Sequence, residues 1–463
     1  MNIRANSPHA KDIAYHLHPY TNAEVHEQNG PHIMQGGDGI YVVDDNGKRY
    51  IEGLSGLWCA SLGFSETRLV EAATRQMTEM PYYHNFAHKT TPVVVELAER
   101  LVEMMPVPMS KAFFTNSGSE ANDTQVKMIW YYNNALGRPE KKKIISRLQG
   151  YHGVTVAAAS LTGLPSVQNS FDLPLPGILH TACPHYWRYG EDGESEEDFA
   201  TRMADSLEQM ILDEGPETVA AFIAEPVMGA GGVLVPPKTY FEKIQAVLKQ
   251  YDVLMVADEV ICGFGRNGNM FGSETFGIKP DMVTVAKALS SAYLPIAASV
   301  ISDEIYQVIK AESARLGNFG TGYTYSGHPV PAAVALETLK IYEERDILGH
   351  VRAMAPRFLE RLHGFGDHPL IGETRGVGLI GALQMSPDKA ARAYFDPALK
   401  VGATAMACAA ENGLITRALP GDSLALCPPL IIKQDEIDEM FDRIGRTLDD
   451  TLDSITKQGI AVA

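Results

Sequence analysis

Short apolar runs alternate with helical patterns through the middle of this chain, and little else constrains its fold so strongly. The runs are Ala112–Thr115, Lys143–Ser146, Val219–Ala224, Val253–Ala257 and Met282–Ala286. A strand apolar on both sides needs cover on both sides, and helices between successive strands supply it. The pattern predicts an α/β fold with a mostly parallel sheet. One helix is expected from Thr91-Pro92, with a cap and a first-position proline ahead of VVVELAERLVEMM. A second follows Ser117-Gly118-Ser119, and a third runs from about Thr239 through FEKIQAVLKQ. Past His328-Pro329 the texture changes. A helix (PAAVALETLKIYEE), another from about Leu348 to His363 and mixed segments lead to a closing amphipathic helix, DEIDEMFDRIGRTLDDTLDSI.

A chain of 463 residues exceeds what one core usually serves. The texture divides it into a large domain, 60–328, and a small α+β domain, 329–463. The N-terminal segment, 1–59, should join the small domain, because IYVVDDNGKRYIEGL reads as a hairpin turning at Asn46-Gly47.

Composition excludes several functions. Net charge is −18, from 39 basic and 57 acidic residues, so no basic face is available for nucleic acid. The acidic cluster Glu191–Asp198 reads as a solvated loop or helix start. The cysteines, Cys59, Cys183, Cys262, Cys408 and Cys427, show no CxxC pair. That argues against a disulfide framework or a metal site and suits a reducing compartment. No apolar leader opens the chain and no stretch reaches membrane-spanning length, so a cytoplasmic location with no membrane partner is expected.

Three segments place polar groups at strand ends, where parallel sheets form their ligand crevice. In FFTNSGSE (113–120) a strand turns through hydroxyl-bearing residues into a helix, and the helix N–H groups suit a phosphate. Ser117 alone would pass as a helix cap. In VLMVADEVICGFGRNG an apolar strand delivers Asp258, a carboxylate that needs a cation facing it. Gly263, Gly265 and Gly268 of the same stretch spell GxGxxG, but residues 258–262 separate them from the strand and GNMFGSETFG is a poor helix former. A dinucleotide loop is therefore rejected, and a nicotinamide oxidoreductase with it. In DMVTVAKALSSAYLP a lysine, Lys287, ends a buried strand, where a Schiff base would remove the cost of its charge.

A phosphate turn, then Asp258, then Lys287, with TNSGSEAND (115–123), GYHGVT (150–155), AEPVMGAGGV (224–233), AKALSSAYLP (286–295) and GYTYSGHP (322–329), resembles the class III aminotransferases of the fold-type I pyridoxal-phosphate superfamily. The match is close to the amine:pyruvate (ω-) transaminase group and spans nearly the whole chain. The resemblance implies pyridoxal 5′-phosphate as cofactor, an amine donor and a keto-acid acceptor, and a homodimer with shared sites; it leaves open whether dimers pair into tetramers. It implies that Lys287 carries the cofactor as a Schiff base and moves the substrate proton, and that Asp258 holds the pyridine nitrogen protonated. Val260 and Tyr151 would pack on opposite ring faces. Ser117, Gly118 and Ser119 would cradle the phosphate, with Tyr323 and Thr324 reaching it from the neighbouring subunit. His152 and Glu225 join the cofactor pocket. Leu57, Trp58, Tyr151, Ala230 and Arg417 are the substrate residues.

Two departures refine this. Ornithine and γ-aminobutyrate aminotransferases have a glutamate where this chain has Ala230, paired there with an arginine matching Arg417, and a glutamine where it has Ile261. An Arg417 without that partner suits the amine:pyruvate group, in which the arginine swings toward a carboxylate and away from an apolar group. An aminomutase, a racemase or a decarboxylase on the same fold is the alternative.

Overall fold

The computed structural model describes residues 6–462. At its centre lies a seven-stranded sheet, in the order 111–115, 297–301, 282–285, 254–258, 219–224, 143–147 and 178–181. All neighbours pair in parallel except strand Ala297–Ile301, which runs antiparallel to both of its own. The five expected strands are present within a residue or so at their ends. Two more, Ile178–Thr181 and Ala297–Ile301, lay outside the apolar pattern. The first is a four-residue edge strand buried only at its two ends. The second is wholly buried but starts on two alanines, so it carries little apolar bulk.

Parallel strands point their C-terminal ends the same way, and five of them leave there Asn116, Gln149, Glu225, Glu259 and Lys287 within two residues of their last position. Because Ala297–Ile301 runs the other way, its beginning meets this same edge. Helix Gly118–Ala135 follows the first strand and buries Asn122 and Gln125 against the sheet. Helix Pro92–Met104 forms as expected, but Thr91 makes no side-chain cap and its Oγ1 is buried without a partner. The proline's fixed φ, not the cap, starts that helix.

The N-terminal hairpin forms between Tyr41–Asp44 and Arg49–Glu52. Gly47 takes the left-handed conformation at its turn (φ 79°) and Asn46 does not, so the loop is a three-residue type in place of a two-residue Asn-Gly turn. Strand Arg49–Glu52 then pairs in parallel with Leu414–Ile415, tying the N-terminal segment to the C-terminal part of the chain. There a second sheet runs in the order 371–377, 380–385, 423–426, 417–419, with Arg417 on its edge strand. The closing helix, Gln434–Lys457, buries Ile437, Met440, Phe441, Ile444, Leu448 and Ile455 along one face. The main core runs continuously through Ile40, Leu97, Val285, Leu339, Leu383 and Phe441.

Candidate active site

The strand ends close around a cavity of about 560 Å³. Its walls carry Ser117, Gly118 and Ser119, then Tyr151, Val260, Asp258 and Lys287, together with Leu57, Trp58, Ala230 and Arg417. His152 and Glu225 also line it. Every expected site residue is thus present except Tyr323 and Thr324, which are absent from the cavity wall.

At the phosphate end, Ser117 caps helix Gly118–Ala135 by accepting from the Glu120 N–H at 3.2 Å. Glu120 folds back so that its carboxylate accepts from the Asn116 N–H at 2.7 Å. Gly118 and Ser119 stand in the first turn of that helix, where N–H groups have no helical acceptor, and both line the cavity. Two glycines make this packing possible. A Cβ on Gly118 would stand 3.0 Å from Val260 Cγ2. Gly153, at φ 133°, brings its loop so close that a Cβ would lie 2.5 Å from Ser119 Oγ.

Asp258 is 2 % exposed and held on all sides. Its Oδ2 accepts from Asn122 Nδ2 at 2.8 Å and lies 2.8 Å from His152 Nδ1, and its Oδ1 accepts from the Val260 N–H at 3.1 Å. Behind it, Thr284 Oγ1 donates to Asn122 Oδ1 at 2.8 Å, and Gln125 Nε2 donates to Thr284 Oγ1 at 3.3 Å. A chain of buried side chains therefore fixes the carboxylate and leaves capacity on Oδ1. Sequence reasoning missed Asn122 and Thr284, although Asn122 stands in the TNSGSEAND motif one helical turn past Gly118, on the inward face. His152 proves to be a support for Asp258, and its Nε2 is buried with no protein partner.

Lys287 follows strand Met282–Val285 and takes a left-handed backbone, φ 47°. That costs energy for a residue with a Cβ and turns the side chain off the strand's course into the cavity. Its Nζ stands 5.5 Å from the Trp58 ring centroid. Trp58 is 5 % exposed and its indole Nε1 has no partner. Glu225 has a clear supporting role: its oxygens accept from the N–H groups of Tyr151 and Gly229, both at 2.9 Å. Burial pushes its pKa above the ordinary range. Burial likewise raises the Tyr151 phenol, so its proton stays on near neutrality.

At the mouth stands a residue that no motif pointed to. Tyr20, from the N-terminal segment, lies 3.4 Å hydroxyl to hydroxyl from Tyr151, and its ring sits 5.8 Å from the Arg417 guanidinium. Arg417 is half-buried and makes no ion pair among the described residues. Tyr323 and Thr324 lie outside. The Tyr323 hydroxyl donates to the Glu120 carbonyl at 3.2 Å, and the Thr324 carbonyl accepts from Tyr82 at 2.7 Å on the exposed face of the chain. The GxGxxG glycines sit in turns around Arg266, which donates to the carbonyls of Leu379 and Pro428, and open no helix onto a strand end.

The cavity thus combines an anion cradle, a fixed buried carboxylate and an unpaired lysine, the set that a phosphate-bearing, cationic, aldehyde cofactor requires. Known proteins share this plan. The family model for class III aminotransferases matches residues 22–448. Gamma aminobutyrate transaminase 3, chloroplastic, of Solanum lycopersicum is 54% identical over 436 residues, covering 94% of this chain and 84% of that protein. The crystal structure of the omega transaminase from Pseudomonas jessenii in complex with PMP is 56% identical with a TM-score of 0.96, covering 97% of this chain and 99% of the other. A thermostable omega transaminase variant, W58M/F86L/R417L, engineered for asymmetric synthesis of enantiopure bulky amines, is likewise 56% identical with a TM-score of 0.96, covering 97% of this chain and 100% of the other.

Proposed function

The chain belongs to the class III aminotransferases and transfers amino groups with pyridoxal phosphate, and we propose that it takes them from an amine or ω-amino acid to pyruvate, with Lys287 and Asp258 as its catalytic residues. The observation that carries the residue assignment is the pairing of a strand-end lysine without a partner and a carboxylate immobilised by Asn122 and His152 in the same cavity. Bound pyridoxal phosphate supplies an electrophilic carbon and a ring that withdraws the electron pair left when a substrate carbon loses its proton. Asp258, fixed and buried, would hold a proton on the pyridine nitrogen. Lys287 would hold the cofactor through Nζ, and that same atom would carry the proton at the substrate carbon. Gly118 and Ser119 bind the phosphate through N–H groups, and Val260 and Tyr151 confine the ring.

Leu57, Trp58 and Ala230 line the cavity and would form its substrate side, and Arg417, without a carboxylate partner among the described residues, would bind a substrate carboxylate. Ala230 leaves no acidic group to hold the arginine shut. This separates the chain from enzymes with a glutamate there, but not from γ-aminobutyrate as donor, which the names of 52–54% identical relatives favour. Trp58, Phe86 and Arg417 bear the same numbers as the positions changed in the bulky-amine variant, which supports Trp58 and Arg417 as the limits on substrate size. Tyr323 and Thr324, outside their own chain's cavity, would complete the phosphate site of a second subunit. No helix among the described residues is long and apolar enough to cross a membrane. The five free cysteines support a cytoplasmic, reducing setting. We retain as a proposal the division into a segment 1–59 that joins a small domain 329–463, and a large domain 60–328; one core cluster runs through all three.

Two measurements test this. Borohydride reduction of the holoenzyme followed by peptide mapping should find the pyridoxyl group on Lys287; another lysine would refute the assignment. Amine donors — γ-aminobutyrate, β-alanine, taurine, a polyamine and an aromatic amine — assayed with pyruvate should yield alanine with at least one. Turnover with other keto acids but not with pyruvate would overturn the acceptor.

A further inference from the structure

The N-terminal segment carries a second cluster that the aminotransferase site does not use. Asp12, on helix Pro8–Tyr15, is surrounded by three histidines. Its Oδ1 lies 2.7 Å from His18 Nε2 and 2.9 Å from His26 Nε2, and its Oδ2 lies 3.1 Å from His16 Nδ1. The rings crowd together, with centroids 4.1 Å apart for His16 and His18 and 4.3 Å for His18 and His26. One ligand atom each from Asp12, His16 and His18 falls within 4.8 Å of the others. Donors on a tetrahedral ion with bonds of about 2.0–2.1 Å stand about 3.3 Å apart, so small side-chain rotations would bring these three onto one centre, with His26, whose Nε2 reaches Asp12 alone among them, as the fourth to swing in.

The surroundings favour a cation over a purely hydrogen-bonded cluster. Neither helix Pro8–Tyr15 nor helix Ala23–Asn29, which bears His26, buries a single residue. The segment has no core of its own, and side-chain contacts among these four residues join its two helices. A short segment without a core is where a structural metal contributes most, because the binding energy becomes ordering energy.

We propose that Asp12, His16, His18 and His26 form a site for one divalent transition-metal ion, of the zinc class that imidazole and carboxylate donors suit. The ion would staple residues 8–29 and so set the position of Tyr20, which lies between the ligands and reaches over the catalytic cavity to Tyr151 and Arg417. The site stands apart from the cofactor and makes no demand on it.

Cobalt(II) titration of the holoenzyme tests this, because tetrahedral cobalt absorbs to the red of the cofactor. One equivalent per chain should produce saturable bands that zinc abolishes. His18→Ala and His26→Ala should each weaken binding by at least about tenfold, since losing a ligand costs more than losing an outer contact. Asp12→Asn should weaken it too while keeping the side chain's shape. His368→Ala, which removes a histidine 3.4 Å from Asp449 on another face, should change nothing. Zinc should also slow proteolytic cleavage within residues 15–30. Bands unchanged in all three ligand variants, or no saturable binding, would overturn the site. Cleavage indifferent to bound zinc would overturn the staple.

Discussion

Asp258 shows how a single carboxylate is prepared for its task. Three hydrogen-bonding partners hold it, and none is a permanent cation, which supports its proposed role opposite a cofactor's ring nitrogen. Asp258→Asn keeps the shape but cannot hold that proton. The variant should retain cofactor and lose at least about 1.5–3 kcal/mol of transition-state stabilisation, roughly 10- to 150-fold, in single-turnover reaction with an amine. Near-wild-type rates would contradict the assignment. Arg417 is the reverse case, a cation with no partner among the described residues. Arg417→Ala should cost the pyruvate half-reaction about 1.5–3 kcal/mol, while an amine lacking a carboxylate should react at nearly the original rate. Rapid-mixing measurement of each half separates the outcomes: equal losses would make Arg417 structural, and loss confined to the amine half would place the pocket backwards.

Among the elements, the turn after strand Leu254–Asp258 depends on a buried acid beside Asp258. Glu259 is fully buried, and its carboxylate accepts from the Gly272 N–H at 2.9 Å and from the Ser273 N–H and Oγ at 2.6 Å. Burial, the largest influence, pushes its pKa up to about 7. The unfolded chain loses this proton near 4.5 while the folded one keeps it, so the stabilisation is full below about pH 4.5 and is lost as pH rises toward 7. Glu259→Gln cannot titrate. Urea midpoints measured from pH 5 to pH 8 should therefore fall less for the variant than for the parent, by up to about 3 kcal/mol. Parallel pH profiles would show that Glu259 ionises alike in both states. The helix Gly118–Ala135 has a comparable double duty: its first turn presents N–H groups, and its second carries Asn122 to the carboxylate.

Over the whole molecule, Met77, Met80, Tyr82, Tyr83, Phe86 and Tyr325 are exposed apolar side chains, and Tyr82 packs edge-on against Tyr325. Such side chains fit contact with a second copy of the chain, and the Thr324 carbonyl accepts from one of them, Tyr82. If Thr324 serves the partner's phosphate, Lys287→Ala and Thr324→Ala chains, each inactive or cofactor-poor alone, should complement when co-refolded. A heterodimer would then have one site with both lesions and one with neither, restoring about a quarter of wild-type sites. Complementation is impossible if Thr324 acts within its own chain, because each site would then keep one lesion. Recovery of holoenzyme absorbance and activity on mixing decides between the two.

Most of the large sheet, the placement of polar residues at its strand ends and the closing helix were legible in the sequence, because each rests on local pattern: apolar runs, helical periodicity, a polar residue just past a strand. The order of motifs, TNSGSEAND before Asp258 before Lys287, likewise needs no coordinates. Contacts between distant parts were not legible. Strand Ala297–Ile301 is small and reversed, and only its two neighbours explain it. Asn122 reached Asp258 because the helix after one strand crosses the end of another, 136 residues away in sequence. Tyr20 met Tyr151 across 131 residues, and no spacing rule connects them. The displacement of Tyr323 and Thr324 from their own cavity also follows from how the chain packs, not from any property of GYTYSGHP. Periodicity records which faces a segment must bury, whereas the tertiary structure alone decides which segments those faces meet.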